Sequence, residues 1–81
     1  MVIKVLTFAG LAEAQEADEI RIELSDNATA ADAIDVLARR WPKLDRMRDA
    51  IAIAVNHDYV AADHELRNGD ELALIPPVSG G

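Results

Sequence analysis

One amphipathic stripe governs what this chain can fold into. Ala30, Ala33, Ile34, Leu37, Ala38 and Trp41 recur at helical spacing on one face, while Asp32, Asp35, Arg39 and Arg40 fall on the other. Thr29, followed three residues later by Asp32, outlines a capping box with Asp in place of the usual Glu, so a helix is predicted from Ala30. Pro42 is predicted to stop it, because proline removes a backbone donor and restricts the residue before it. Trp41, on the apolar stripe, is expected in or at the edge of the core rather than as a platform for a ligand. Leu11 to Asp18, acidic and rich in Ala, reads equally as a turn of helix or a loop.

A single helix needs a sheet to cover, and the flanking sequence supplies strands. Residues 2 to 8 are rich in Val, Ile, Leu and Phe, and Gly10 ends them. Glu19 to Leu24 alternates strictly, with Ile20, Ile22 and Leu24 on one face. After the helix, Ala50 to Val55 alternates Ala with Ile or Val, Asn56-His57-Asp58 turns, and Tyr59-Val60 is extended again. Asn68-Gly69-Asp70 marks another turn before a last strand, Glu71 to Ile75, which Pro76-Pro77 ends. The order strand, strand, helix, strand, short strand, strand fits a two-layer α+β fold, a β-grasp of about five strands with one main helix on one face. The first and last strands are then parallel neighbours at its centre.

The whole chain has 81 residues, enough for one domain (1–75) and an extended tail (76–81). A domain this small buries only about 60% of its unfolded surface, which argues against a large enclosed active-site cavity. No cysteine is present, which excludes a disulfide framework, a Cys-ligated zinc and a thiol nucleophile. Any sulfur chemistry must use borrowed sulfur. The net charge of −7 argues against nucleic-acid or anionic-membrane binding, and the bases from Arg39 to Arg48, interleaved with Asp45 and Asp49, read as a solvated face. With no signal-peptide pattern and no apolar run of about 20 residues, a cytoplasmic protein is expected.

Strand alternation also predicts a second apolar face. If Ile3, Val5, Ile51, Ile53, Val55, Leu72 and Leu74 point at the helix, the opposite face carries Leu6, Phe8, Ala52, Ala54, Ala73 and Ile75, with Tyr59 nearby. Lys4 and Glu71 interrupt it. Such a face suits a docked partner, with Phe8, Tyr59 and Ile75 as the expected anchors.

The tail Pro76-Pro77-Val78-Ser79-Gly80-Gly81 follows directly. Two prolines discourage it from folding back onto the sheet, and at a polyproline rise it would reach nearly 20 Å. Gly80 and Gly81 carry no Cβ and can pass a channel only a backbone wide. They deliver the Gly81 carboxylate, which is ionised at neutral pH and is a poor acyl electrophile until activated. Adenylation by an ATP-using partner, then attack by a sulfur nucleophile, would leave a C-terminal thiocarboxylate.

Lys4-Val5-Leu6 with Phe8-Ala9, Ala54-Val55-Asn56, Asp63-His64, Asn68-Gly69-Asp70-Glu71 and the terminal Pro76-to-Gly81 segment resemble the small, sulfur-carrying subunit of molybdopterin synthase. The resemblance implies a ubiquitin-like fold and a Gly81 carboxylate adenylated by an enzyme related to ubiquitin-activating enzymes. It also implies conversion to thiocarboxylate and insertion of the tail into the large synthase subunit. There sulfur passes to cyclic pyranopterin monophosphate, in a heterotetramer whose large subunit supplies the catalytic pocket. Leu6, Phe8, Tyr59, Ile75, Pro76, Pro77, Val78 and Ser79 would contact that partner, with Ser79 where Thr is also common. The chain itself would bind no cofactor and would not be an enzyme alone; ATP and the sulfur donor belong to the activating partner. A carrier for thiamine-thiazole synthesis or tRNA thiolation, or a protein modifier joined to lysines, shares the fold and the Gly-Gly end. A metal site on His57, Asp58, Asp63 and His64 is the weakest alternative, since turn chemistry explains the acids and no clear third ligand appears.

Overall fold

The computed structural model describes residues 1–7 and 19–76. The expectations placed on Phe8, on Gly10 to Asp18 and on Pro77 to Gly81 lie outside the described residues.

Helix α1 runs Ala30–Arg40 and buries Ala30, Ala33, Ile34, Leu37 and Ala38, the predicted stripe. Its capping box is complete. The Thr29 hydroxyl accepts from the Asp32 N–H at 3.3 Å, and the Asp32 carboxylate accepts from the Thr29 N–H at 2.9 Å. At the other end, the Trp41 N–H donates to the Leu37 carbonyl at 2.8 Å and the indole is buried, 1% exposed. Pro42 stops α1 as expected, but it also opens a second helix, α2 (Pro42–Met47), followed by a 3-10 turn at Arg48–Ala50. Among the described residues the helical layer therefore holds two α-helices rather than one. Proline's fixed φ and missing N–H, which end one helix, suit the first position of the next. Leu44 is the buried residue of α2 and extends the core beside Trp41.

Five strands form one sheet: β1 (Val2–Thr7), β2 (Glu19–Glu23), β3 (Ala52–Val55), β4 (Asp58–Tyr59) and β5 (Glu71–Ile75), in the order β2-β1-β5-β3-β4. β1 and β5 are parallel at the centre, and the other pairings are antiparallel. β3 begins at Ala52, not Ala50, because residues 48–50 coil in the 3-10 turn. Ile3, Val5, Ile51, Ile53, Val55, Leu72 and Leu74 are all buried against α1, Trp41 and Leu44. At roughly 1.5–3 kcal/mol per fully buried large aliphatic side chain, this inner face is the main source of stability.

Two turns set the registers. Val55 pairs with Asp58, leaving Asn56 (φ 51°) and His57 (φ 75°) as the two left-handed residues of a type I′ hairpin turn. Before β5, the Asp70 N–H donates to the Arg67 carbonyl at 3.0 Å, and Gly69 has φ 86°, the positive value a type II turn requires at its third position. This turn also clamps the start of β1. The Gly69 N–H donates to the Val2 carbonyl at 2.8 Å, and the Asn68 side chain accepts from the Val2 N–H at 2.8 Å. A Cβ at Gly69 would meet nothing within 4 Å, so the cost of Gly69→Ala is purely conformational. It is expected to destabilise the domain by about 1–2 kcal/mol, read as a lower urea midpoint at unchanged slope.

Candidate docking face and tail root

Alternation along β1, β5, β3 and β4 sends the remaining side chains to the face away from the helices. Register makes rows of them. Leu6 is opposite Ala73, Ala73 opposite Ala54, and Ala54 opposite Tyr59, so these four cross the sheet in one line. Ile75 and Ala52 form the next line. Tyr59 is 76% exposed, an unusual position for an aromatic side chain on a small domain. Ala52 is exposed, and Leu6, Ala73 and Ile75 are half-buried. Ala54 belongs to this face but is buried, its single methyl group lying between the Ala73 and Tyr59 positions.

The other end of the same face is charged. Lys4 Nζ lies 3.3 Å from Glu19 and 3.6 Å from Glu71, and His57 Nε2 lies 3.7 Å from Glu71. Arg21 stands opposite Lys4, and Glu23 opposite Val2. The Asn56 side chain ties this end together, accepting from the Glu71 N–H at 3.0 Å and donating to the Asp70 carboxylate at 2.9 Å. The expected interruption by Lys4 and Glu71 is thus a charged half, to which β2 adds Arg21 and Glu23, while Glu19 stands opposite Leu6 in the apolar row and its carboxylate reaches back to Lys4. The alternation of β2 was plain in sequence. Its register against β1, which aligns those charges with Lys4, was not.

The parallel strands β1 and β5 both run from the charged half toward the apolar half, and Pro76 follows Ile75 at the apolar end. The chain therefore leaves the sheet beside its exposed apolar side chains. Of the proposed contact residues, Leu6, Tyr59 and Ile75 share this face and Pro76 adjoins it, while Phe8, Pro77, Val78, Ser79, Gly80 and Gly81 lie outside the described residues.

Other candidate chemistry is dispersed. Among the described residues no group of three or more His, Asp or Glu could hold a metal ion. His57 occupies the β3–β4 turn, while the His64 backbone accepts from the Ala30 N–H at 2.9 Å near the start of α1. In the base-containing segment, Arg48 is hydrogen-bonded to Asp35 and also faces Asp45 at 3.7 Å. The Asp35 hydrogen bond, followed by the charges of Asp35, Asp45 and Asp49, raises the guanidinium further above its ordinary value. No helix among the described residues is long and apolar enough to cross a membrane.

The chain matches the ThiS family over residues 5–81. It is 39% identical over 83 residues to the molybdopterin synthase sulfur carrier subunit of Chlamydomonas reinhardtii, with 100% of both chains covered. It is 33% identical over 79 residues to the protein of the same name from Arabidopsis thaliana, covering 98% of this chain and 82% of that one. Among solved structures, SAMP1 from Haloferax volcanii superposes with a TM-score of 0.83 at 35% identity over 100% of both chains. The strand order and the helices on one face are those of the ubiquitin-like β-grasp. With the family matched from β1 to the last residue, the chain belongs to the ThiS family.

Proposed function

We propose that this chain is the sulfur carrier of molybdopterin synthase and that Gly81 bears the sulfur. The observation that carries the reading is the exit of the chain at the apolar end of an open sheet face, with four residues between the last strand and a Gly-Gly terminus. A partner seated on Leu6, Tyr59 and Ile75 would receive the tail at the edge of its own contact surface. The large synthase subunit is that partner, in a cytoplasmic heterotetramer, and Phe8, Pro76, Pro77, Val78 and Ser79 complete the contact. The names of the plant and algal relatives support this reading.

The chemistry follows from the carboxylate. A Gly81 oxygen attacks the α-phosphorus of ATP on an activating enzyme of the ubiquitin-activating type, and pyrophosphate leaves. Sulfide-level sulfur from the donor then attacks the acyl carbon, the C–O bond to phosphate breaks and AMP leaves, giving the thiocarboxylate with no redox change. In the large subunit that sulfur attacks cyclic pyranopterin monophosphate, and water then cleaves the acyl C–S bond, leaving the sulfur on the substrate and Gly81 as a carboxylate. Gly80 lets the backbone thread the channel, and the carrier itself binds neither ATP nor metal.

Intact-mass measurement tests this directly. Incubation with a cognate activating enzyme, ATP and a sulfur donor is expected to add about 16 Da, the exchange of one oxygen for sulfur. An unchanged mass with an enzyme active on another carrier would overturn the proposal. The likeness to SAMP1 favours one second reading, a modifier joined through the same carboxylate to lysines of other proteins. That reading is distinguished by isopeptide-linked adducts to other proteins, at many masses, in extracts.

A further inference from the structure

Activated glycine carboxylates react with amines as well as with sulfur, so the amines of this chain bear on its chemistry. It has two lysines, Lys4 and Lys43, besides the Met1 amine. Two of the three are held. The Met1 amine is partly buried, donates to the Leu24 carbonyl at 2.7 Å and lies 3.8 Å from Asp26. Lys4 sits between Glu19 and Glu71 on the docking face. Lys43, the second residue of α2, is exposed and holds no ion pair or hydrogen bond among the described residues.

Its surroundings favour an acidic partner. Five of the eight bases (Arg39, Arg40, Lys43, Arg46 and Arg48) fall in one short segment of a chain whose net charge is −7. Arg48 is engaged by Asp35 and Asp45, while Arg39 and Arg46 are exposed near Lys43 in the sequence. The phosphate of an acyl-adenylate is attracted to these bases, which Asp45 and Asp49 only partly offset, against the general repulsion between two chains of net charge −7. Leu44, the next residue, is buried in the core between the helices and the inner face of the sheet, so Lys43 belongs to the layer opposite the docking face.

We propose that Lys43 is an acyl acceptor for the activated C-terminus of a second copy of this chain, giving an isopeptide-linked pair. The deprotonated Nζ attacks the Gly81 acyl carbon of the adenylate, the N–C bond forms, and the C–O bond to phosphate breaks. AMP leaves and the surplus amine proton passes to solvent, with no redox change. Because Lys43 lies in the layer opposite it, the docking face of the acceptor copy stays uncovered. The inference rests on the activation of Gly81 proposed above.

The test incubates the full chain with the activating enzyme and ATP, without a sulfur donor, and follows pyrophosphate release alongside a denaturing gel. The expected result is a covalent dimer whose tryptic digest contains peptide 41–46 joined at Lys43 to peptide 68–81. K43R is expected to lose the dimer while still gaining about 16 Da when sulfur is supplied, and K4R is expected to keep it. Pyrophosphate release without dimer, or linkage at Lys4 or Met1, overturns the Lys43 assignment and leaves the carrier reading standing. Absence of pyrophosphate release with an enzyme active on another carrier overturns the carrier reading itself.

Discussion

Deleting Gly81 is expected to lower sulfur delivery by at least about 100-fold while leaving the domain folded. The shortened chain still ends in a glycine carboxylate, so the group is unchanged and only its position differs. Removing one extended residue withdraws the reactive carbon by about 3.5 Å. A misplacement of about 1 Å at a reacting centre already costs on the order of 100-fold in rate. Every residue of the described core lies at or before Leu74, so the urea midpoint is expected to stay where it was. Single-turnover transfer to the large subunit, with far-UV circular dichroism as the folding control, checks both halves. Transfer within tenfold of the full-length rate would mean that Gly81 is not the carrier group.

Trp41→Ala is expected to have the largest effect on stability. The indole is 1% exposed, and its backbone ends α1 and starts α2. Truncating a buried aromatic to alanine costs about 3–5 kcal/mol. A domain of this size has only about 4–12 kcal/mol to lose, at roughly 0.05–0.15 kcal/mol per residue. Urea unfolding followed by circular dichroism should show a midpoint lowered by a third or more, with Trp41→Phe falling between the two. Loss below about 1 kcal/mol would show that the two helices do not pack through this ring. Because it is the chain's one tryptophan, fluorescence reports on the same junction in the native protein.

The inner layer was legible because each signal there is local and periodic. Thr29 and Asp32 announce the start of α1 within four residues, and the alternation of β1, β3 and β5 sorts Val5, Ile53 and Leu72 from Leu6, Ala54 and Ala73 without reference to any partner strand. Helix α2 was not legible. Pro42 terminates and initiates helices by the same chemistry, and a six-residue helix with Leu44 as its buried residue offers no periodicity to read. The outer face was half legible. Its apolar members follow from alternation, but Tyr59 joins their row only because a two-residue turn at Asn56-His57 sets its register. The grouping of Lys4, Glu71, Arg21 and Glu19 likewise depends on pairing between strands distant in sequence, which no local pattern encodes.

The parallel pairing of β1 with β5 has a consequence for when the docking face can form. The sheet's central seam joins the first strand to the last, and Asn68 and Gly69 fasten Val2 across most of the chain's length. Contacts of such long sequence separation slow folding, because the intervening loop must close before they form. During synthesis β1 has no central partner until β5 has emerged, so no shortened nascent form can complete the sheet. Closure of the seam thus waits for residues 71–75, and the rows that join Leu6, Ala73, Ala54 and Tyr59 across the sheet form only once those residues are in place.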